Sequence, residues 1–457
     1  MSAASKKSPD VLAAIERAGI VGCGGAGFPT HAKLKGNIKH LILNGAECEP
    51  LLRTDRYLMI HHAEEIVRAA AAVKQSIGAE SCTIGLKASY TQEIAALEAA
   101  IAAQKAPVKL HKMRSFYPAG DEQVLVAEVT GRVIPAAGIP LDVECAVSNV
   151  GTMYNIALAM QGESFTRKYL TVSGAVEKPT VICVPVGTSF ADCLQLAGGI
   201  PAGDWMAISG GPMMGKRMTK EQALEAHVTK TTSGILIIPA ENPLAMREKT
   251  TLQHMFTRAR SVCIQCRRCT DMCPRHMLGH PLEPHRIMRQ LSTMAIDGTP
   301  VDNKVLESAS LCCECGVCEI YACPMGLAPR KLNGVLKQEL AQQKKRWPKG
   351  EGQEQPNPWR EGRKAPTKRV AARADVLAYY DRCGTDHLET AEPAGVRLAL
   401  RQHIGAPSQP VVAVGDHVVE GQLIAAIPAG ALSANLHASI SGVVTAIDDA
   451  ICIEKEK

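Results

Sequence analysis

The stretch Cys263–Pro274, with the sequence CIQCRRCTDMCP, decides how this chain is organised. Its spacing is C-x2-C-x2-C-x3-C-P, and we call Cys263, Cys266, Cys269 and Cys273 the first ladder. A second ladder, Cys312, Cys315, Cys318 and Cys323, lies in the sequence CCECGVCEIYACP of residues 312–324. Three thiolates spaced by two residues wrap one iron–sulfur cubane, and in two-cluster ferredoxins the fourth cysteine ligates the other cluster. Two ladders, each followed by proline, therefore predict two [4Fe–4S] clusters.

The ladders are expected to exchange their last cysteines. One cluster would take Cys263, Cys266, Cys269 and Cys323, and the other Cys312, Cys315, Cys318 and Cys273. Structural zinc is the alternative, although zinc sites usually show paired C-x2–4-C knuckles. Cys313 lacks the two-residue gap to Cys315 and is read as a bystander.

Length and charge narrow the class of protein. The 457 residues predict three or four domains. The net charge of +6 is local, because residues 344–373 alone carry ten Lys/Arg and three Asp/Glu. The near-neutral remainder argues against a nucleic-acid partner. We find neither a signal peptide nor an apolar run long enough for a membrane helix, so we expect a reducing cytoplasm and no membrane insertion.

Residues 1–160 alternate strands with alanine-rich helices, which favours an α/β sheet. Gly22, Gly24 and Gly27 match G-x-G-x-x-G, but a helix precedes them and Pro29 follows, which disfavours a Rossmann site. Such glycines still let backbone N–H groups approach a phosphate or a flat ring. Three further motifs follow in order: N-x-x-E-x-E-P at residues 44–50, G-D-E at 120–122 and N-V-G-T at 149–152.

These four motifs together resemble the FMN- and NADH-binding domain of the complex I flavin subunit. They are also similar to the Rnf complex C subunit and to the cobalamin reductase family of propanediol-utilisation microcompartments. The resemblance implies FMN and NADH sites, with Phe28 and Glu49 near the NADH and no catalytic acid or base. The cofactor-binding residues it implies are Gly22, Gly24, Gly25, Phe28, Lys33, Asn44, Glu47, Glu49, Gly120, Asp121, Glu122, Asn149 and Thr152. Ala46 replaces an aspartate of the complex I protein, which bears on NADH binding.

The remaining chain predicts four further segments. Residues 161–245 have the ββαβ order of a β-grasp (SLBB-like) module, whose Gly210–Gly215 loop is read either as a structural turn or as a contact to a ligand or the flavin domain. Residues 246–345 form the helical ferredoxin-like domain, and 346–375 a basic, solvated linker. Residues 376–457 resemble a barrel-sandwich hammerhead without the lysine of lipoyl carriers, so no lipoate or biotin is expected. The expected fold class is therefore multidomain α/β.

The C-terminal position of the hammerhead favours the cobalamin reductase family over the Rnf C subunit. That resemblance implies an enzyme passing electrons from NADH through FMN and two [4Fe–4S] clusters to cob(III)alamin or cob(II)alamin, supporting reactivation of a diol dehydratase. It also implies a place inside a bacterial microcompartment, with an adenosyltransferase and shell proteins as partners. The alternatives are an Rnf-like subunit delivering electrons to another protein, and an electron carrier that does not oxidise NADH.

Overall fold

The computed structural model describes residues 10–291, 304–350 and 355–456. The first domain is a four-stranded parallel sheet of order β3-β2-β1-β4 with helices packed against it, which confirms the α/β expectation. Its strands are β1 His40–Asn44, β2 Ser81–Lys87, β3 Lys109–Met113 and β4 Cys145–Asn149. Its helices are α1 Val11–Arg17, α2 Thr30–Lys33, α3 Thr54–His61, α4 Ala63–Ser76, α5 Thr91–Gln104, α6 Glu122–Thr130 and α7 Val150–Ala159, with a 3-10 turn at Pro140–Val143.

The β-grasp sheet comes next and has six strands in the order β10-β6-β5-β9-β7-β8. The strands are β5 Arg167–Gly174, β6 Thr180–Pro185, β7 Trp205–Ser209, β8 Lys216–Met218, β9 Gly234–Pro239 and β10 Leu388–Thr390. Helices α8 Phe190–Leu196 and α9 Lys220–Leu224 complete the module. The sixth strand, β10, arrives from far along the chain and pairs in parallel with β6.

The cluster domain is built from short helices around the two ladders. The helices are α10 Pro243–Glu248, α11 Leu252–Val262, α12 Arg268–Asp271, α13 Pro274–Met277, α14 Pro284–Leu291, α15 Lys304–Glu307 and α16 Pro329–Gln342. A 3-10 turn at Ser308–Leu311 and a π-helix at Val317–Ala322 flank the second ladder. The helix predicted for residues 285–294 runs partly outside the described residues, as does the start of the one predicted for 303–311.

The segment after α16 corrects one prediction. Residues 346–375 were expected to be a solvated linker, but they include α17 Arg360–Arg363 and α18 Thr367–Arg373. Val370, Ala371 and Ala374 are buried in a core shared with Leu51 of the flavin domain and Met213 of the β-grasp module. Alanine and valine at helical spacing supply an apolar face that the high charge of the segment conceals.

The C-terminal module consists of two small antiparallel sheets, as expected for a barrel sandwich. Its strands are β11 Gly395–Ala399, β12 Gln409–Pro410, β13 His417–Val418, β14 Leu423–Ala426, β15 Leu436–His437, β16 Gly442–Ile447 and β17 Ala450–Glu454. Its core joins Val396, Ile424, Val444 and Ile453. Across the described parts of the chain, no helix has the length and apolar character needed to cross a membrane.

Candidate flavin cavity and cluster sites

Two asparagines mark the carboxyl edge of the flavin-domain sheet. Asn44 ends β1, Asn149 ends β4, and the two are register partners in the parallel pair. The Asn44 side chain donates to the Gly120 carbonyl at 2.9 Å. The Asn149 side chain caps α7 by accepting from the Gly151 N–H at 2.8 Å. Ligands of open α/β sheets bind outside the carboxyl ends of the strands, so this edge is where a cofactor is expected.

The glycine-rich loop closes over this edge. Its two ends are tied by a hydrogen bond from the Gly22 N–H to the Phe28 carbonyl at 3.0 Å. A Cβ on Gly24 would lie 2.8 Å from the Asn149 side-chain nitrogen, whereas a Cβ on Gly25 would meet nothing within 4 Å. The Cys23 N–H donates to the Thr152 hydroxyl at 3.0 Å, which fixes the loop to α7. The loop therefore presents bare backbone to the space beyond it.

That space is a cavity of about 480 Å³, within the range of small-molecule sites. Ten of the predicted cofactor residues line it: Gly22, Gly24, Gly25, Phe28, Lys33, Asn44, Gly120, Glu122, Asn149 and Thr152. Lys33 supplies a cation, paired with Glu122 at 2.7 Å. Apolar side chains of Leu34, Ile139 and Leu141 form another part of the wall. A cation, open glycine backbone and an apolar wall suit a molecule with a phosphate and a flat ring, as FMN has.

Three predicted residues lie outside this lining. Glu49 accepts from the backbone N–H groups of Met213 (2.8 Å) and Met214 (3.0 Å), so the Gly210–Gly215 loop contacts the flavin domain. Burial raises the pKa of Glu49 to about 7, although those N–H groups oppose the shift. Asp121 caps α6 and forms an ion pair with Arg275 at 2.5 Å.

Glu47, the third, lies beside Asp55 behind Asn149. The Asn149 side chain donates to Asp55 at 2.7 Å, and the Asp55 N–H donates to Glu47 at 3.3 Å. Burial raises the pKa of both carboxyls, and their mutual repulsion adds to the rise at Glu47. One oxygen of Glu47 is buried without a hydrogen-bond partner.

The structure brings the first-ladder cysteines together with the last cysteine of the second ladder. Cys263, Cys266, Cys269 and Cys323 line one small cavity. Burial raises the pKa of the Cys269 thiol to about 12, and the neighbouring thiols of Cys323, Cys263 and Cys266 contribute to the rise. This is the exchange of last cysteines expected from the ladder spacing.

The second set meets inside the protein. Burial raises the pKa of the Cys318 thiol well above its usual value, and the Cys312 and Cys273 thiols lie close enough to raise it further. Cys315 is likewise affected by Cys318 and Cys273. The Tyr117 hydroxyl of the flavin domain donates to the Cys315 carbonyl at 2.8 Å.

Sequence reasoning missed two contributors to these sites. Ile404 of the C-terminal module lines the flavin cavity, and a Cβ on Gly27 would lie 3.0 Å from the Gln402 carbonyl. No local motif marks this contact, because it joins segments that are far apart in the chain. The sequence shows Arg275 only as a charge near the first ladder, and nothing in it signals the pairing with Asp121.

Comparison with known families follows the domain order of the structure. Profiles match residues 15–158 as a Nuo51 FMN-binding domain, 169–217 as an SLBB domain, 262–328 as a 4Fe-4S dicluster domain and 385–457 as an RnfC barrel sandwich hybrid domain. The matches confirm the multidomain fold class and the FMN and [4Fe–4S] cofactors, and the dicluster match decides against structural zinc.

Three curated relatives extend the comparison. The chain is 41% identical to the cobalamin reductase PduS of Salmonella typhimurium, over 97% of this chain and 96% of that protein. It is 40% identical to the protein of that name from Citrobacter freundii, over 95% of this chain and 94% of the relative. With the RnfC-type component of the Na(+)-translocating ferredoxin:NAD(+) oxidoreductase complex of Acetobacterium woodii it shares 36% identity, over 57% of this chain and 56% of that one.

Proposed function

This chain belongs to the cobalamin reductase family, and from that premise we propose that it passes electrons from NADH, by way of FMN and two [4Fe–4S] clusters, to cob(III)alamin or cob(II)alamin. The family and the matched domains establish the broader class, an NADH-linked flavin and iron–sulfur oxidoreductase. Supply of reduced cobalamin to reactivate a diol dehydratase is the finer part of the proposal.

The cavity residues are proposed to hold FMN by complementary contacts. The N–H groups of Gly24 and Gly25, with Lys33, bind the phosphate, while Asn44 and Asn149 fix the polar edge of the ring. When bound, FMN accepts the hydride of NADH and supplies electrons singly to one-electron centres. Phe28, 36% exposed at the cavity, is placed to pack against NADH.

The eight ladder cysteines are proposed as the cluster ligands, in the two exchanged sets. The observation that supports the relay most directly is the contact between the flavin domain and the second ladder. Tyr117 bonds to the Cys315 carbonyl, and Arg275, two residues after Cys273, pairs with Asp121 between cavity residues Gly120 and Glu122. Residues of the flavin cavity thus lie within one bonded contact of a ladder.

The test is anaerobic reduction of hydroxocobalamin by the purified holoprotein with NADH, followed by the absorbance of the cobalamin. We expect NADH to bleach the flavin and cluster bands and then to convert the cobalamin. A Cys318→Ser variant serves as the control that lacks an intact relay.

Two other outcomes would contradict the proposal. If NADH bleaches the protein but only a protein acceptor such as ferredoxin is reduced, the chain acts as an Rnf-like electron-transfer subunit. If NADH leaves the flavin oxidised, it is a carrier that does not oxidise NADH, as Ala46 at the aspartate position would allow.

We further propose that the protein works inside a bacterial microcompartment, next to an adenosyltransferase and shell proteins. The support is the name and full-length similarity of its relatives. Co-purification of the protein with assembled shells, and its loss from them in a shell-free strain, would test this placement.

A further inference from the structure

The two cluster sites differ in how far they open to solvent. In the second ladder, Cys312, Cys315 and Cys318 are all buried. In the first ladder, Cys266 is exposed, and Cys263 and Cys269 are partly so. Nearly identical spacings therefore create one internal site and one surface site.

The internal site is the one that borders the flavin domain. The Tyr117 hydroxyl lies 2.8 Å from the Cys315 carbonyl oxygen, and Tyr117 is itself only 1% exposed. On the other side, the Arg275 guanidinium bonds to Asp121 through two contacts of 2.5 and 2.9 Å. Both links connect the internal site to the cavity edge at residues 117–122.

The surface site faces away from the flavin cavity. Apart from its cysteines, its walls come from residues 264–267, from His285 and Met288 of α14, and from residues 324–329. No residue before Cys263 lines it among those the structure describes. The loop Ile264–Arg268 covers its outer side, and all five of its residues are exposed.

The chemistry of that loop fits a particular kind of ligand. Ile264 is 61% exposed, which is unusual for a large apolar side chain beside a redox site. Arg267 and Arg268 stand next to it, and residues 263–268 contain no acidic side chain. Arg267 contacts Asp271 and Glu283 only loosely, at 3.4 and 3.9 Å, which leaves its N–H groups able to reach an anion. An apolar contact flanked by guanidinium groups suits a flat macrocycle that carries a phosphodiester.

We infer that the surface site is the exit of the relay and that the Ile264–Arg268 loop is the docking surface for the corrin. This inference rests on the proposed function and adds the place where its acceptor binds. Ile264 packs against the corrin, and Arg267 and Arg268 bind the phosphodiester of its nucleotide loop. In each encounter the cluster at this site loses one electron and cobalt gains one, with NADH as the source. No protein bond forms or breaks, and in the cob(III)alamin step the water on cobalt leaves to solvent.

Docking is tested with an Ile264→Asp/Arg268→Glu double variant of the holoprotein. Val414→Asp/Arg68→Glu is the matched control, because Val414 is also 61% exposed and Arg68 is exposed on α4, both remote from the ladders in sequence. Equilibrium dialysis should show hydroxocobalamin binding about tenfold weaker in the test variant and unchanged in the control. Iron and FMN contents should stay at wild-type levels in both.

Kinetics separate a failure of docking from a failure of the proposed function. We expect the test variant to raise KM for hydroxocobalamin and to leave NADH:ferricyanide reduction unchanged. If wild-type protein reduces no cobalamin, the proposed function falls. If wild-type protein reduces it and both double variants bind and react alike, only the docking surface is overturned.

The order of the two sites has its own test, which needs no turnover. A water-soluble iron chelator should remove about half of the cluster iron in a fast phase, from the surface site. That phase should be missing in Cys266→Ala, which loses the exposed ligand. Iron release in a single phase, or a fast phase that survives in Cys266→Ala, would overturn the assignment of the exposed site.

Discussion

The glycine-rich loop at residues 22–28 and the acidic stretches at 47–49 and 120–122 face the same edge of the flavin-domain sheet, yet they make opposite kinds of contact. The loop is held mainly within its own domain, through backbone hydrogen bonds and the contact of Gly24 with Asn149. The acidic side chains instead reach across to other domains. The cavity is thus shaped by backbone, while charge at its rim joins the domains together.

The acidic residues show this clearly. Glu49 binds the N–H groups of the β-grasp loop at Met213 and Met214. Asp121 binds Arg275 of the cluster domain. Only Glu122 stays at the cavity, paired with Lys33. If this contrast is right, changes to the acids should act on domain assembly, and changes to the loop on cofactor affinity.

The largest effect is expected from Arg275→Leu. The side chains of Arg275 and Asp121 are only 9% and 14% exposed, so the variant leaves a buried carboxylate without its partner. Breaking such a pair costs about 3–5 kcal/mol of unfolding free energy, measurable by denaturant titration. Burial alone would raise the pKa of Asp121, but Arg275 outweighs it and holds the pKa below its usual value.

The matched control is Arg267→Leu, because Arg267 is 52% exposed and should lose about 0.5 kcal/mol or less. Adding Asp121→Asn to Arg275→Leu should restore part of the stability, since no charge is left buried and asparagine still caps α6. Equal losses for Arg275→Leu and Arg267→Leu would contradict the role of this pair.

A pH-dependent effect is expected from Glu49→Gln. The folded protein holds the Glu49 proton up to about pH 7, whereas the unfolded chain releases it near pH 4.5. Wild-type stability should therefore fall by roughly 1–3 kcal/mol as pH rises through this window. Thermal unfolding between pH 4.5 and 8 should show a shallower fall in the variant, and the difference isolates Glu49 from Glu47 and Asp55. Parallel curves would mean that Glu49 does not titrate there.

A smaller effect, on affinity, is expected from Gly25→Val. A Cβ at Gly25 meets no atom within 4 Å, so the variant should fold normally while its side chain enters the cavity. We expect FMN to bind the deflavinated protein about tenfold more weakly by fluorescence titration. Gly362→Val is the control, because Gly362 is equally open but lies outside the cavity lining. A loss of stability in Gly25→Val with unchanged FMN affinity would break the contrast between loop and acids.

The smallest effect on stability is expected from Lys33→Met. The Lys33 and Glu122 side chains are 35% and 40% exposed, and such pairs contribute about 0–1 kcal/mol. Lys112→Met removes a comparable exposed pair with Glu98 at 2.7 Å and should change stability as little. Only Lys33→Met should weaken FMN binding, and an equal change in both variants would remove Lys33 from the site.

The sequence was informative where local chain geometry decides the outcome. The glycine-rich loop and the residues that end β1 and β4 lie on one cavity, because glycine spacing and strand ends act over a few residues. The exchanged grouping of Cys323 with the first ladder likewise follows from spacing alone. The fates of Glu49 and Asp121 did not follow, because they depend on which distant segment packs against each carboxylate.

The charged segment after α16 shows the same limit. Its composition predicted a solvated linker, yet Val370 and Ala371 are buried. The burial of so few small side chains becomes favourable only once the flavin domain and the β-grasp module already provide a surface. Composition averages over residues and does not register such a short apolar face.

The strand β10 has a consequence for how the protein is made. It fills an edge of the β-grasp sheet, beside β6, although the two strands are separated by the whole cluster domain. During synthesis on the ribosome, that sheet edge stays open until the C-terminal part of the chain has emerged. A message truncated before codon 388 would therefore yield a product with an exposed strand edge, prone to associate with other unfinished chains.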